Sequence, residues 1–396
     1  MEQNIGIIKS LIDQDLYKLT MQNAVCKLFP RSNVKYEFFN RDKTFFPKGF
    51  DKKIRKEIDR MSNLRLSVEE KNFLKNCCGR YLDDVYIDFL SSYIFDPSEV
   101  GVILEESGEL RIQIEGAWYR TILWEVPIMA IVSELYFKET GQIIMNRNER
   151  NKNNCEKGLF FHQHNIQVTD FGTRRRYSYD NQLEVCKDLM SVYGSKDYFA
   201  GTSNVYIAMN LGLTPIGTHA HEFVSGIAAL KGYRHANKHM MDAWISVYEG
   251  DLGTALPDTF GVNNFLEDFT MKYAKLYDGV RHDSGDPFEF IDKFVLHYKK
   301  LKITPSSKTL VFSDGLNKNL VLKISEYCIK KGDGIKCSFG IGTNFTNDVG
   351  VKPLNIVIKL INIDGNHAIK LSDINGKHIG DIETIDMVKK MINYPV

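Results

Sequence analysis

Five times between residues 166 and 343, an apolar, β-prone run ends in a cluster of glycine, polar and charged residues. Ile166 to Asp170 leads into Phe171-Gly-Thr-Arg-Arg-Arg176, and Gly212 to Ile216 leads into Gly217-Thr-His-Ala-His-Glu222. Tyr277 to Val280 leads into Arg281-His-Asp-Ser-Gly-Asp286, Thr309 to Phe312 into Ser313-Asp-Gly-Leu-Asn317, and Lys336 to Phe339 into Gly340-Ile-Gly-Thr343. Strand, polar cluster, helix, repeated, is the pattern of a barrel or open α/β sheet, whose sites lie at the carboxyl ends of the strands.

The first part of the chain reads differently. Leu11, Leu16, Leu19 and Val25 recur at roughly helical spacing and predict a helix over residues 8–28. Val34 to Phe39 and Leu110 to Trp118 read as strands, and Ser67-Val-Glu-Glu70 as a capping box opening a helix through Leu74. Pro127 opens an apolar helix over Ile128 to Phe137, because its missing N–H costs little in a first turn. The Asn- and Arg-rich stretch 141–160 is either the exposed end of a long helix or a surface insertion. It is the best candidate for a domain junction. Leu354 to Ile361, Asp364-Gly365 and His367 to Leu371 form a hairpin pattern. The expected division is an N-terminal α+β domain over 1–140, rejoined by some C-terminal segments, and an irregular α/β barrel over 141–396. A length of 396 residues accommodates that at roughly 150 residues per domain.

Lys+Arg number 51 against 50 Asp+Glu, a net charge of +1 that argues against a general nucleic-acid binder. The seven cysteines include no C-x-x-C, so reduced and mostly buried thiols in a cytoplasmic protein are expected. Residues 1–11 lack the apolar core of a signal peptide, and no apolar run is long enough for a membrane span.

Within this balance a few constellations stand out. Gly340, Gly342 and Thr343, with Ser313 and Asp314, suit a phosphate, because small residues let backbone N–H groups approach an anion. They equally suit plain turns. Arg174, Arg175 and Arg176 suggest a local anion site, or else a solvated run paired with acids. His221, with Glu222 beside it, is either a working imidazole or a satisfied core histidine. His235 and His239 have chelating spacing, but without an H-E-x-x-H pattern zinc is disfavoured and no metal ligands are assigned. Asp283 and Asp286 crowd a turn beside Arg281 and suit Mg²⁺ or sugar hydroxyls near a phosphate site, while Ser284 or Asp286 also fits an N-cap before Pro287. Tyr17 is a core aromatic or a ring that stacks on a heterocycle.

Taken in order, these segments resemble the nicotinate phosphoribosyltransferase family. The carriers are Asp15-Leu-Tyr-Lys-Leu-Thr-Met21, Asp170-Phe-Gly-Thr-Arg-Arg-Arg176, Gly201-Thr-Ser-Asn204 and Gly217-Thr-His-Ala-His-Glu222. Asp258-Thr-Phe260, Arg281-His-Asp-Ser-Gly-Asp-Pro287, Lys308 to Asp314, Ser338 to Thr343, Lys352 to Lys359 and Lys370-Leu-Ser-Asp373 continue the series. The resemblance implies the type II phosphoribosyltransferase fold. It implies formation of nicotinate mononucleotide and pyrophosphate from nicotinate and 5-phosphoribosyl 1-diphosphate, coupled to ATP hydrolysis through a phosphohistidine, in NAD salvage. It places the phosphohistidine at His221, with Glu222 or Asp283 orienting the ring, and the base on Tyr17, Phe171, Arg174, Thr218 and Arg281. Arg175, Arg176, Ser313, Asp314, Gly340, Gly342 and Thr343 would serve the phosphoribosyl and phosphate groups. ATP and Mg²⁺ are implied as co-substrate and cofactor, and a homodimer as the assembly. Two rivals are a nicotinamide-specific sister enzyme and a non-catalytic phosphosugar or nucleotide sensor.

Overall fold

The computed structural model describes residues 6–371 and 378–394. The expected Ser372-Asp373 end of one motif and the first five residues lie outside them. By packing, the chain groups into two compact units. Of the described residues, the first contains 6–31, 35–217 and 341–359; the second contains 32–34, 218–340, 360–371 and 378–394.

In the first unit, β1 (Asn33–Asn40), β2 (Val100–Leu104) and β3 (Leu110–Ala117) form the antiparallel part. The β2–β3 hairpin runs in register from Val100↔Ile114 to Leu104↔Leu110. Alternate residues Leu110, Ile112 and Ile114 of β3 are buried, the period-2 pattern of a sheet with one face on a core. β4 (Val168–Asp170) and β5 (Phe199–Thr202) pair in parallel. The second unit carries β6 (Thr254–Ala255), β7 (Gly279–His282), β8 (Thr309–Phe312) and β9 (Lys336–Ile341), paired in parallel in that order. Helices Pro287–Lys300 and Lys318–Lys331 follow β7 and β8, which is the predicted strand–cluster–helix repeat. β10 (Ile356–Ile363) turns back at Asp364-Gly365 into β11 (Asn366–His367), the expected hairpin. The α/β class with an antiparallel N-terminal part is therefore what the chain adopts.

Several local expectations need correction. The first helix spans Leu16–Leu28, not 8–28, because Asp13 and Asp15 are used in side-chain hydrogen bonding before it starts. Gly212 to Ile216 forms no strand, only an isolated bridge at Pro215, whose ring nitrogen has no proton for a ladder. The apolar helix begins at Glu125, two residues before Pro127, and runs to Thr140. Residues 147–163 are not the exposed end of a long helix. They form a separate helix capped by a reciprocal Asn146–Glu149 box. Its polar face is turned inward: Arg147, Asn151 and Asn154 all bond the carboxylate of Asp188 on helix Tyr179–Ser191. The capping box at Ser67 forms as predicted. All seven cysteines are free; Cys78, Cys186 and Cys328 are buried, Cys77 is exposed, and the rest lie between. Among the described residues no helix is long and apolar enough to cross a membrane.

One buried ionic network fixes the start of the chain in the first unit. Arg176 is fully buried and grips Asp13, also fully buried, through two bonds of 2.7 and 2.8 Å. Asn204 and Gln182 complete the shell of that pair, and Asp170 is held by Gln182, Thr202 and the N–H of Gly172. Burial alone pushes the Asp13 carboxyl up, but Arg176 outweighs it and holds the group below the usual carboxylate range. Gly172 is required here, since a Cβ would fall 2.2 Å from Thr346 Oγ1. Breaking such a pair leaves a buried charge uncompensated. Arg176→Met should therefore cost about 3–5 kcal/mol of stability in chemical denaturation. Adding Asp13→Asn should recover a large part of that loss; an equal loss in single and double variants would show that the pair is not the cause.

Candidate functional site

His221 is the first residue of helix His221–Lys231 in the second unit, with the preceding Ala220 extended. Three further pieces of that unit deliver polar groups to its ring. The short turn Pro257–Thr259 brings Asp258 and Thr259, and Thr259 Oγ1 lies 2.9 Å from Nδ1. The end of β7 brings Asp283, whose Oδ2 lies 3.0 Å from Nε2. The segment after β11 brings Lys370, whose Nζ lies 2.9 Å from Nε2 and 3.0 Å from Asp258 Oδ2. Each carboxylate is held from behind by a serine hydroxyl: Ser313 donates to Asp283 and Ser284 to Asp258, both at 2.7 Å. Of the two carboxylates considered for orienting His221, Asp283 faces the ring. Glu222 is a buried residue in the first helical turn, where a negative charge suits the helix N-terminus.

The imidazole is uncharged at neutral pH. Burial drives its pKa down to about 4, and neighbouring Lys370 adds to this, while Asp258 and Asp283 oppose it. Burial raises both carboxylates, but it is outweighed. The Arg281 guanidinium holds Asp283 well below its usual range, and the Lys370 ammonium and the Ser284 hydroxyl hold Asp258 low. His219 is a core histidine by environment. It is fully buried against Trp244, 5.0 Å between ring centroids, and burial lowers its pKa to about 3. Arg281 lies on β7 with 13 % of its side chain exposed. It donates to the backbone carbonyl of His219 at 3.2 Å, and its Nε is buried without a hydrogen-bond acceptor. An unfilled buried donor on a guanidinium is what a carboxylate ligand satisfies.

His221, Asp258 and Asp283 are the three-residue group among the described residues whose donor atoms are close enough to hold a metal. They do not fit a resident Mg²⁺. That ion demands near-octahedral oxygen ligands, whereas this set offers an imidazole nitrogen and carries an ammonium within 3.0 Å of two of its members. His235 stands just before helix Ala236–Tyr248, which contains His239; the two rings are 6.4 Å apart, and His235 lies 3.7 Å from Asp268.

The remaining predicted residues are placed as follows. Ser313 is engaged with Asp283 and the carbonyl of His282, and Asp314 follows it. Asp286 caps helix Pro287–Lys300 as expected, accepting from the N–H of Phe288 and Glu289. Thr218, half-buried, and Gly340, at the end of β9, complete those of the second unit. In the first unit, Arg174 pairs with Glu125 at 3.2 Å and lies 5.9 Å from the Tyr17 ring centroid. Glu125 also pairs with the buried Lys18 at 2.5 Å. Burial raises the Glu125 carboxyl, but Lys18 and Arg174 overcome it and hold it at about 2. Phe171 is half-buried and its N–H donates to Ile341. Gly342 and Thr343 open a single helical turn, Thr343–Thr346. The three arginines do not act alike: Arg174 and Arg175 are partly exposed, whereas Arg176 is sealed against Asp13 and out of reach of a phosphate. Asp258, Thr259, Ser284 and Lys370 were not singled out as site residues. Only their place in the family-like strings Asp258-Thr-Phe260, Arg281 to Pro287 and Lys370-Leu-Ser-Asp373 pointed to them.

This arrangement has relatives. The family model for the nicotinate phosphoribosyltransferase N-terminal domain matches residues 12–133, and the model for the family itself matches 166–396. A nicotinate phosphoribosyltransferase of Desulforapulum autotrophicum is 48% identical over 385 residues, covering 96% of this chain and 97% of its own. One of Chromohalobacter salexigens is 45% identical, with 98% of each chain covered. The crystal structure of nicotinate phosphoribosyltransferase from Porphyromonas gingivalis superposes with a TM-score of 0.93 at 41% identity, over 97% of this chain and 99% of that one. Likeness of this extent in sequence and in fold, with both family models matched in order, makes the chain a member of the nicotinate phosphoribosyltransferase family.

Proposed function

We propose that this enzyme transfers the phosphoribosyl group of 5-phosphoribosyl 1-diphosphate to nicotinate, releasing nicotinate mononucleotide and pyrophosphate, and that ATP drives the reaction through a phosphorylated His221. The names of the relatives support the first part. The observation that carries the second is a buried, uncharged imidazole at a helix N-terminus, faced by Asp283 and Asp258 and steadied by Thr259.

Departure of pyrophosphate leaves positive charge on the ribose C1 and negative charge on the leaving group. Catalysis then rests on positioning the base and neutralising the anion. In this reading Arg281 receives the nicotinate carboxylate, which a neutral amide cannot replace, and this favours nicotinate over nicotinamide. A ring nitrogen of His221 attacks the γ-phosphorus of ATP; an N–P bond forms and the P–O bond to ADP breaks. Hydrolysis later returns imidazole and phosphate. Asp283 stabilises the positive charge that the phosphorylated ring carries. Mg²⁺ accompanies the phosphate-bearing substrates, and the histidine cluster is not its seat. The assembly is read as a cytoplasmic homodimer; light scattering of the purified protein at twice the chain mass tests the dimer.

Incubation with γ-labelled ATP should give acid-labile label on the protein that disappears in His221→Ala and falls in Asp283→Asn. Label undiminished in His221→Ala would sink the assignment. Because the imidazole titrates near 4 and not 6.5, the competent neutral form persists well below the usual histidine range. The labelling yield should stay flat from pH 8 to pH 5 and decline only as the pH falls through about 4. Arg281→Gln should raise the KM for nicotinate by about tenfold to a hundredfold, the worth of one charged hydrogen bond, while nicotinamide is little affected. Competition between the two bases in a turnover assay reads this directly, and unchanged discrimination would remove Arg281 from the base site.

A further inference from the structure

His221 Nε2 has two neighbours that make opposite demands on it. Asp283 Oδ2, 3.0 Å away, can only accept a proton, whereas Lys370 Nζ, 2.9 Å away, can only donate one. If Nε2 carries hydrogen, the Asp283 contact is a bond and the ammonium faces an N–H. If Nε2 carries the lone pair, the ammonium is bonded and the ring proton sits on Nδ1. There it meets Thr259 Oγ1 at 2.9 Å, a hydroxyl able to accept it. Asp283 does not need the ring, because Ser313 already donates to it and Arg281 lies 3.7 Å away.

Lys370 is not a loose surface lysine. Its backbone N–H and C=O are both bonded to Ile379, at 2.9 and 3.0 Å. The next residue, Leu371, donates to the carbonyl of Thr259, and the preceding Ile369 accepts from Ser225 on the helix that His221 opens. Only 13 % of its side chain is exposed. The backbone that carries the ammonium is thus tied to two of the elements that carry the imidazole and its Nδ1 partner.

We propose that Lys370 is a positioning residue that latches the resting histidine. By bonding Nε2 and Asp258 together, its ammonium fixes the ring proton on Nδ1 and keeps the imidazole uncharged and engaged at both nitrogens. An anionic phosphoryl group gives that ammonium a stronger partner and frees the ring. The latch gains its purpose from the phosphohistidine reading above, but the resting proton position it describes exists with or without ATP. The groups that face the ring are consistent with it. Lys370 and the helix N-terminus disfavour a charged ring; Asp258 and Asp283 favour one; Arg281 stands behind Asp283; His219 and Glu222 flank on the same segment.

The test is nitrogen-15 NMR of the full-length enzyme labelled at histidine, without nucleotide, with the His221 ring assigned by its absence in His221→Ala. The unmodified enzyme should show the proton on Nδ1. Lys370→Met should move it to Nε2, facing Asp283, and raise the titration midpoint of the ring by about one unit. Lys370→Arg, which keeps a donor, should retain the Nδ1–H form. A resting enzyme with Nε2 protonated overturns the proposal without any variant, as does a Lys370→Met protein with unchanged ring nitrogens and midpoint. Labelling by γ-labelled ATP, followed in the same variants, should show its acid limb shifted upward by a similar amount in Lys370→Met. Loss of all labelling in the unmodified enzyme would instead count against the phosphohistidine reading and leave the NMR result standing.

Discussion

The candidate site depends on keeping one imidazole uncharged in a place that holds two carboxylates and an ammonium. In water, the two acids would simply raise the basicity of the histidine. Burial reverses the outcome, because removing the ring from solvent penalises its charged form more than the carboxylates reward it. Everything around the ring serves that balance. The serines that hold Asp258 and Asp283 fix where the negative charge sits, and the helix beginning at His221 directs its positive end at the ring.

The parallel strands of the second unit make such a cluster possible. β7 and β8 lie in register, with His282 opposite Phe312, so the residues just beyond them, Asp283 and Ser313, come off side by side. Their 2.7 Å hydrogen bond follows from that register. A slip of one residue would turn every side chain on the strand to the other face and separate them. The chemistry at the strand ends is thus inherited from backbone pairing.

Much of this was legible in the sequence. Four of the five apolar runs are strands or end in one, and the polar clusters after the runs hold Arg281, Asp283 and Ser313, with His221 after the one run that is not a strand. Gly212 to Ile216 failed because a proline inside a short run removes the donor that a ladder needs, which apolarity does not report. Composition misled at Arg174 to Arg176. Three like charges in a row read as one feature, yet the turn they occupy buries the third against an acid 163 residues earlier. Asp258 and Lys370 were hidden for the same reason. Their partner His221 is distant in sequence, and a single aspartate or lysine has no local pattern that marks it as facing an imidazole.

The helix over residues 147–163 shows how a hydrophilic sequence can be structural. Its asparagines and arginines look like solvent-facing filler, but several converge on one carboxylate, and Lys157 reaches the carbonyl of Asn344 at 2.6 Å, next to Thr343. Protein engineers choosing where to graft a tag or a fluorophore look for such polar stretches. Here that choice would pull on the turn that carries Thr343. In the short link between Gly141, with its left-handed backbone, and Asn146, Ile143 is exposed, whereas Met145 is already tied to Val349 through its N–H.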